Sequence, residues 1–365
     1  MRIWAFHLFN DYSGSPLMLK NALKALECAE IHLWTSKSEG FLSDLKPHQL
    51  HSNSYQWRSN KLRLLLGLII AQWEAFSLVC KNRKRVDVLY INTLLPVGAA
   101  VAGKLFGIPV IYHLHEPQLN NRFLFRLLKS LANWTAVKAI FVSNYLASCF
   151  PKMEERGAVI PNVLSESFLH KIQRSPESEC ESEKENILML CSFKIYKGIH
   201  EFAALANNDP GRLYTLILNA SVDQVIDFRK KYEEILNLSI VCSPSDLHPY
   251  YQKADILLNL SHPDKWIESF GMTALEGMAY RLPCIVPEVG GIAELVTESS
   301  GFKVSALEPE KVSRRIDFLF SDERIYAEYA QSALQRSKDF DFQQFKEKLC
   351  AFMGLSKAQL THSEL

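Results

Sequence analysis

Asp255-Ile256-Leu257-Leu258-Asn259-Leu260, then Ser261 to Ser269, then Phe270-Gly271-Met272-Thr273-Ala274-Leu275-Glu276 places an apolar run, a polar loop and a helical pattern in immediate succession. A short apolar run bounded by a loop reads as a buried strand ending near Leu260, and the pattern predicts a helix from about Phe270. In an open parallel sheet, ligands bind beyond the carboxyl ends of the strands, where this loop falls. The N–H groups of Gly271, Met272 and Thr273 would point out of the helix, where they and its dipole favour a phosphate. Two carboxylates flank that position. Glu276, about two turns into the helix, is placed to accept hydrogen bonds from ribose hydroxyls, and Glu268, in the loop, from those of a sugar.

Outward from this stretch, strands and helices alternate along the chain. Arg2–Phe9, Ile31–Thr35, Val86–Ile91, Val110–His115 and Ala139–Ser143 read as strands of the first half, with a helix from Leu17 to Leu26 for which Ser15 is the expected cap. A second series runs through Ile187–Cys191, Leu213–Leu218, Ser239–Cys242, Asp255–Leu260 and Pro283–Pro287. Alternating apolar strands and helices imply parallel sheets covered on both faces. The expected organisation is α/β with two Rossmann-like domains facing a central cleft. The first spans residues 1–164, a Ser- and Glu-rich linker 165–185, the second domain 186–337, and a helix over 338–365 returns to the first domain. The aromatic-rich tail from Glu323 to Met353 reads as helical and is expected to lie across both domains.

The 365 residues and 41.7 kDa are too many for one ordinary core, in keeping with two domains. Hydrophobic residues make up 48% and charged residues 22%, a globular composition, and a formal net charge of +1 argues against a nucleic-acid binder. The eight cysteines include no CxxC pair and stand at no zinc-ligand spacing with histidine, which fits a reduced cytosolic protein without a bound metal. The N-terminal apolar run passes into Asn10-Asp11 with no small-residue cleavage site and reads as a strand, not a signal peptide. Leu64–Cys80, interrupted by Gln72 and Glu74, reads as a buried helix and not a membrane span.

Glu268, seven residues, Glu276, a helix, the Pro283-led strand and the loop Gly290-Gly291 with Glu294 together resemble glycosyltransferase family 4, the retaining GT-B enzymes that move a sugar from a nucleotide-diphosphate donor. The resemblance extends upstream to Cys191-Ser192-Phe193-Lys194-Ile195-Tyr196-Lys197-Gly198, where Lys197 falls on the family lysine that holds the donor diphosphate. Ser192 stands in place of the family arginine, and Lys194, two residues on, is the nearest substitute cation. In the first domain, Asn10 to Pro16 occupies the place of the family's glycine-containing loop near donor phosphates and acceptor, with Ser13, Gly14 and Ser15 offering backbone N–H groups. His115, at the end of a strand and on the same face as His113, takes the position of a family histidine that reaches toward the transferred sugar.

The resemblance implies that a UDP-, GDP- or dTDP-sugar binds the second domain. Its ribose would lie on Glu276, its diphosphate at Lys197, Lys194 and the helix N-terminus, and its sugar near Glu268. It further implies metal-free transfer with retention to a glycan or lipid-linked acceptor, in bacterial O-antigen or capsule synthesis. A nucleotide-sugar epimerase of similar shape and a catalytically silent sugar-nucleotide-binding subunit are the alternatives. A dehydrogenase is disfavoured, since neither domain opens with GxGxxG. Gly98 to Lys104 has the glycine and lysine spacing of a nucleotide triphosphate loop, but Leu105 stands where Ser or Thr is required, so the run reads as a helix stopped by Gly107. Arg122, Arg126 and Lys129 recur at helical spacing opposite Leu124, Leu127, Leu128 and Leu131, and with Lys81, Arg83, Lys84 and Arg85 they leave room for peripheral contact with an anionic membrane at the inner face of the cell.

Overall fold

A computed structural model describes residues 1–56, 60–119, 121–174 and 185–355. They divide into two compact units, residues 1–163 with the segment from 342 onward, and residues 164–341. The second half of the expected linker, and the last ten residues of the expected C-terminal helix, lie outside the described residues.

The first unit is built on β1 (Arg2–Phe6), β2 (Glu30–Ser36), β3 (Gln49–Asn53), β4 (Val88–Asn92), β5 (Val110–Leu114), β6 (Lys138–Phe141) and β7 (Gly157–Val159). They pair in the order β3-β2-β1-β4-β5-β6-β7, every pair parallel. The central strands are buried on both faces, as Ile3, Trp4, Ala5 and Phe6 of β1 show. β3, as Gln49-Leu50-His51-Ser52-Asn53, and the short β7 went unpredicted because edge strands need no continuous apolar run. Connecting helices are α1 (Gly14–Ala25), α2 (Lys61–Asn82), α3 (Val97–Phe106), α4 (Arg122–Thr135), α5 (Asn144–Ser148) and α6 (Pro151–Glu154). The glycine-lysine run at 98–104 is indeed helix, ended by Gly107 in the left-handed region at φ +70°.

Two expectations about these helices fail. α2, read as buried, is started by the Asn60 side chain accepting from the N–H groups of Leu62 and Arg63 (3.0 and 3.1 Å). It then packs through one face only: Ala71, Ala75 and Val79 are buried while Leu62, Leu66 and Trp73 face solvent. A helix apolar all round conceals from sequence which face it buries. On α4, Leu127 is exposed beside Arg126 instead of packed with Leu128, because its position falls on the outward side of the turn.

The second unit opens with α7 (Glu166–Arg174), inside the segment expected to be linker. Phe168 explains it: its ring packs on His248, Tyr251 and Tyr280, with centroids 4.5, 6.2 and 6.1 Å away. Then follow β8 (Asn186–Ser192), α8 (Ile199–Asn208), β9 (Leu213–Asn219), α9 (Val222–Lys231), β10 (Leu238–Cys242), α10 (His248–Lys253), β11 (Ile256–Leu258), α11 (Met272–Ala279), β12 (Cys284–Val286), α12 (Gly291–Leu295), β13 (Gly301–Lys303), α13 (Pro309–Leu319) and α14 (Glu323–Ser337). The parallel order is β10-β9-β8-β11-β12-β13. Ile187, Met189, Leu216, Ile256, Phe202 and Ile316 belong to its core. The aromatic tail forms two helices: α14 closes the second unit, and α15 (Phe342–Met353) belongs to the first, packed on α1.

Candidate functional site

In the second sheet the strand order turns about β8 and β11, which pair directly although more than sixty residues separate them. The loops leaving their carboxyl ends therefore rise side by side, at the switch point where open α/β sheets bind ligands. They are joined by the His262 N–H, which donates to the Tyr196 carbonyl (2.8 Å), and by Tyr196 stacked on Trp266 (5.7 Å, 20°). Gly198, at φ +78°, makes the approach possible, since a Cβ there would fall 2.3 Å from the Leu260 carbonyl oxygen.

This adjacency brings Lys197 into an ion pair with Glu268. Both side chains are mostly buried, at 13% and 18% exposure, and the Lys197 ammonium stands 5.4 Å over the Trp266 ring. Ser261 Oγ donates to the same Glu268 oxygen (3.0 Å), and the Glu268 carbonyl accepts from the Gly291 N–H (2.8 Å). The Gly290-Gly291 loop thus holds the backbone of the loop carboxylate. Arg336 of α14 fixes that loop's helix in turn, donating to the carbonyls of Glu294 and Leu295 (3.0 Å each). Burial pushes the Glu268 carboxyl up, but the Lys197 charge and hydrogen bonds from Lys197, Ser261 and Asn259 outweigh it and hold it below the ordinary range.

α11 starts at Met272, later than expected, because Gly271 at φ +100° turns the chain into it. A Cβ on Gly271 would fall 2.5 Å from Ile292 Cγ1, so packing on α12 accounts for this glycine without a ligand. Among the described residues no side chain caps α11, so the N–H groups of Met272 and Thr273 in its first turn have neither a helical partner nor a cap. Glu276 accepts a hydrogen bond from the Tyr251 hydroxyl (2.5 Å), and burial raises its carboxyl to about 7. Lys194 is not drawn into this cluster: it is exposed and makes no ion pair among the described residues.

In the first unit the order turns about β1 and β4. α1 begins at Gly14 with Ser13, not Ser15, at the cap position, and Asp11 Oδ1 takes both the Ser13 N–H (3.0 Å) and hydroxyl (2.5 Å). That leaves Gly14 and Ser15, but not Ser13, with N–H groups free of such a bond. The buried Asn10 anchors the loop, bonded to Ser36, Ser38, Leu42 and Ser43. His115 is buried, and its Nε2 meets Asn92 Oδ1 (2.9 Å), while Asn92 Nδ2 reaches His7 Nδ1 (3.0 Å) and the Ser15 carbonyl (3.1 Å). With Oδ1 as the acceptor, Nε2 carries the His115 proton and Nδ1 keeps its lone pair. Burial, then the neighbouring His113 and His7, push the His115 imidazole well below its ordinary range, so it is neutral at pH 7. His113, fully buried and bonded to Tyr90 (2.7 Å), is a packing partner whose ring lies 4.2 Å from that of His115. Burial raises the adjacent Glu116 to about 7.

Asn92, Tyr251 and Ser261 escaped the sequence reading. Asn92 and Ser261 stand at or just past the carboxyl ends of strands beside the two switch points, a signal that could have found them. Tyr251 has no such signal, because it acts from a helix flank through Glu276.

Residues 171–336 match the family described as glycosyl transferases group 1. The chain is 24% identical to an uncharacterized glycosyltransferase of Methanocaldococcus jannaschii, over 94% of this chain and 95% of that protein. It is 28% identical to a 41.2 kDa protein in the cps region of Klebsiella pneumoniae, over 46% of this chain and 48% of that one. The crystal structure of Anabaena HepE in complex with UDP-glucose superposes with a TM-score of 0.77 at 19% identity, over 97% of this chain and 99% of that chain. Residues 171–336 thus match the group 1 glycosyl transferase domain, in a chain with the GT-B fold of these structural neighbours.

Proposed function

We propose that the protein is a retaining glycosyltransferase that moves a sugar from a nucleotide-diphosphate donor to a glycan or lipid-linked acceptor in bacterial surface-polysaccharide synthesis. It would act in the cytoplasm, with peripheral contact to an anionic membrane where the acceptor is lipid-linked. The observation that carries this reading is the Lys197–Glu268 pair beside the uncapped α11 N-terminus, with the protonatable Glu276 farther along the same helix. The donor ribose binds Glu276, and the diphosphate takes Lys197 and the N–H groups of Met272 and Thr273. Glu268, held as a carboxylate, accepts from sugar hydroxyls. As the glycosidic bond breaks, charge grows on the departing diphosphate, and a lysine and backbone N–H groups already aimed at it lower the barrier without reorganising. No metal is assigned a role. The first unit serves the acceptor through Gly14, Ser15 and the neutral His115, whose Nδ1 is an acceptor for a hydroxyl.

The capsule-region relative and the UDP-glucose complex of the HepE neighbour support this choice of donor class and role. Thermal-shift screening with UDP-, GDP- and dTDP-sugars is the test. One series should stabilise the protein, and Glu276→Ala should remove the effect while leaving the melting of the ligand-free protein near that of the parent. Stabilisation by none of them would overturn the reading, and isomerised donor without acceptor would point to an epimerase.

A further inference from the structure

Leu62, Leu65, Leu66, Ile69, Ile70 and Trp73 form one face of α2, and each is at least half exposed, Trp73 at 69%. The stripe runs about 16 Å along the helix. Its opposite face is pinned to α3: Gln72 Oε1 accepts from the Gly98 N–H (2.9 Å), and Gly98 lies so close that a Cβ would fall 2.1 Å from the Gln72 carbonyl oxygen. Leu62–Arg85 is long and apolar enough to cross a membrane, with a mean hydropathy of 1.6. Docked along α3, which packs in turn on α4, it instead lies flat on the first unit. Leu105 of α3 and Phe123 and Leu127 of α4 are exposed apolar side chains as well. A patch of this extent on a folded protein marks an interaction site.

Charge is as one-sided as the apolarity. Between residues 60 and 86 stand Lys61, Arg63, Lys81, Arg83, Lys84 and Arg85 against the single acid Glu74, and α4 adds the exposed Arg122 and Arg126 with no acid, in a chain of net charge +1. The Glu74 carboxylate is engaged by the Ser54 N–H (3.0 Å). Arg83 lies 5.5 Å over the ring of Phe106, which ties the basic turn after α2 to the end of α3. A second copy docked by two-fold symmetry would bring basic rim against basic rim. An anionic bilayer neutralises the rim while the apolar stripe enters the boundary between headgroups and acyl chains.

We infer that the α2–α4 face of the first unit seats the protein on an anionic lipid surface, with α2 lying in the plane of the interface and not across it. This deepens the membrane contact proposed above and names its surface, but its test needs no sugar nucleotide, so either reading can fail alone. The test is flotation of the full chain with phosphatidylcholine vesicles made with and without phosphatidylglycerol. Flotation is expected only with the anionic vesicles. Leu66→Glu with Ile69→Glu should abolish it, and Arg83→Gln, Lys84→Gln and Arg85→Gln together should weaken vesicle affinity on the order of a hundredfold. All these positions are exposed, so melting temperature should hold; if the glutamate pair misfolds, Leu66→Ser with Ile69→Ser takes its place. Three results would overturn the inference: no flotation with anionic vesicles, equal flotation with neutral ones, or a dimer by light scattering that Leu66→Glu with Ile69→Glu dissociates.

Discussion

Burial raises the Glu276 carboxyl to about 7 from an ordinary 4.5, with Tyr251 offsetting only part of the cost. In the ligand-free fold this group takes up a proton between those values, so its contribution to stability falls as pH rises through that window. Ribose hydroxyls donate to a carboxylate better than to a carboxylic acid, so a donor bound as proposed, with its ribose on Glu276, would lower this value and expel the proton. Donor affinity should therefore rise from about pH 6 to about pH 8, approaching tenfold per unit on the acidic side, and level off above. Calorimetry in buffers of different protonation enthalpy reads the released proton directly, and Glu276→Gln should flatten both signals. Affinity independent of pH in the parent would remove Glu276 from the ribose. At this scale Glu268, Glu276 and Lys197 were legible in sequence as candidates because they stand at fixed spacings from glycines and a proline. Asn92 and Tyr251 were not, because each acts by orienting another side chain, and such a partner can come from any element that folding happens to bring near.

Elements were most legible where burial is uniform. The central strands of both sheets announced themselves as apolar runs, whereas β3, β7 and β13 lie outward in their sheets, where a strand needs little of that signal. α7 was hidden by composition: its Ser- and Glu-rich surroundings read as linker, and only the packing of Phe168 on α10 and Tyr280 explains its place. The junction between β8 and α8 is the element on which the Lys197 position depends. Gly198 there combines a left-handed backbone with a Cβ position 2.3 Å from the Leu260 carbonyl oxygen, and neither strain relaxes without moving the β11 loop. Gly198→Ala should cost about 3 kcal/mol of stability and pull Lys197 away from Glu268. Urea unfolding would report the first effect and loss of nucleotide-dependent thermal stabilisation the second. An alanine variant with unchanged stability and binding would mean that the two loops are less rigidly joined than their hydrogen bond from His262 to Tyr196 implies.

At the scale of the whole molecule, the chain builds its second unit as one uninterrupted segment, residues 164–341, but assembles its first from both ends. Residues 338–341 stay with the second unit, and the return begins only at Phe342. α15 then buries Phe345, Leu349, Cys350 and Met353, with Cys350 Sγ donating to the Ala25 carbonyl (3.4 Å) and Lys346 reaching Glu27 (3.4 Å). The exposed ion pair adds little. The four buried side chains contribute more, roughly 1.5–3 kcal/mol for each large one, a total comparable to the net stability of an ordinary domain. A chain ending at Asp341 should therefore lose the first unit's cooperative unfolding transition while keeping that of the second. Differential scanning calorimetry would show it as the loss of one of two transitions, and limited proteolysis as selective digestion of residues 1–163. Nucleotide protection of the second unit's transition should survive the truncation, since Lys197, Glu268 and Glu276 all lie in the unbroken segment. Equal loss of both transitions would mean that the two units unfold as one, and that the C-terminal helix supports the second unit as much as the one it packs on.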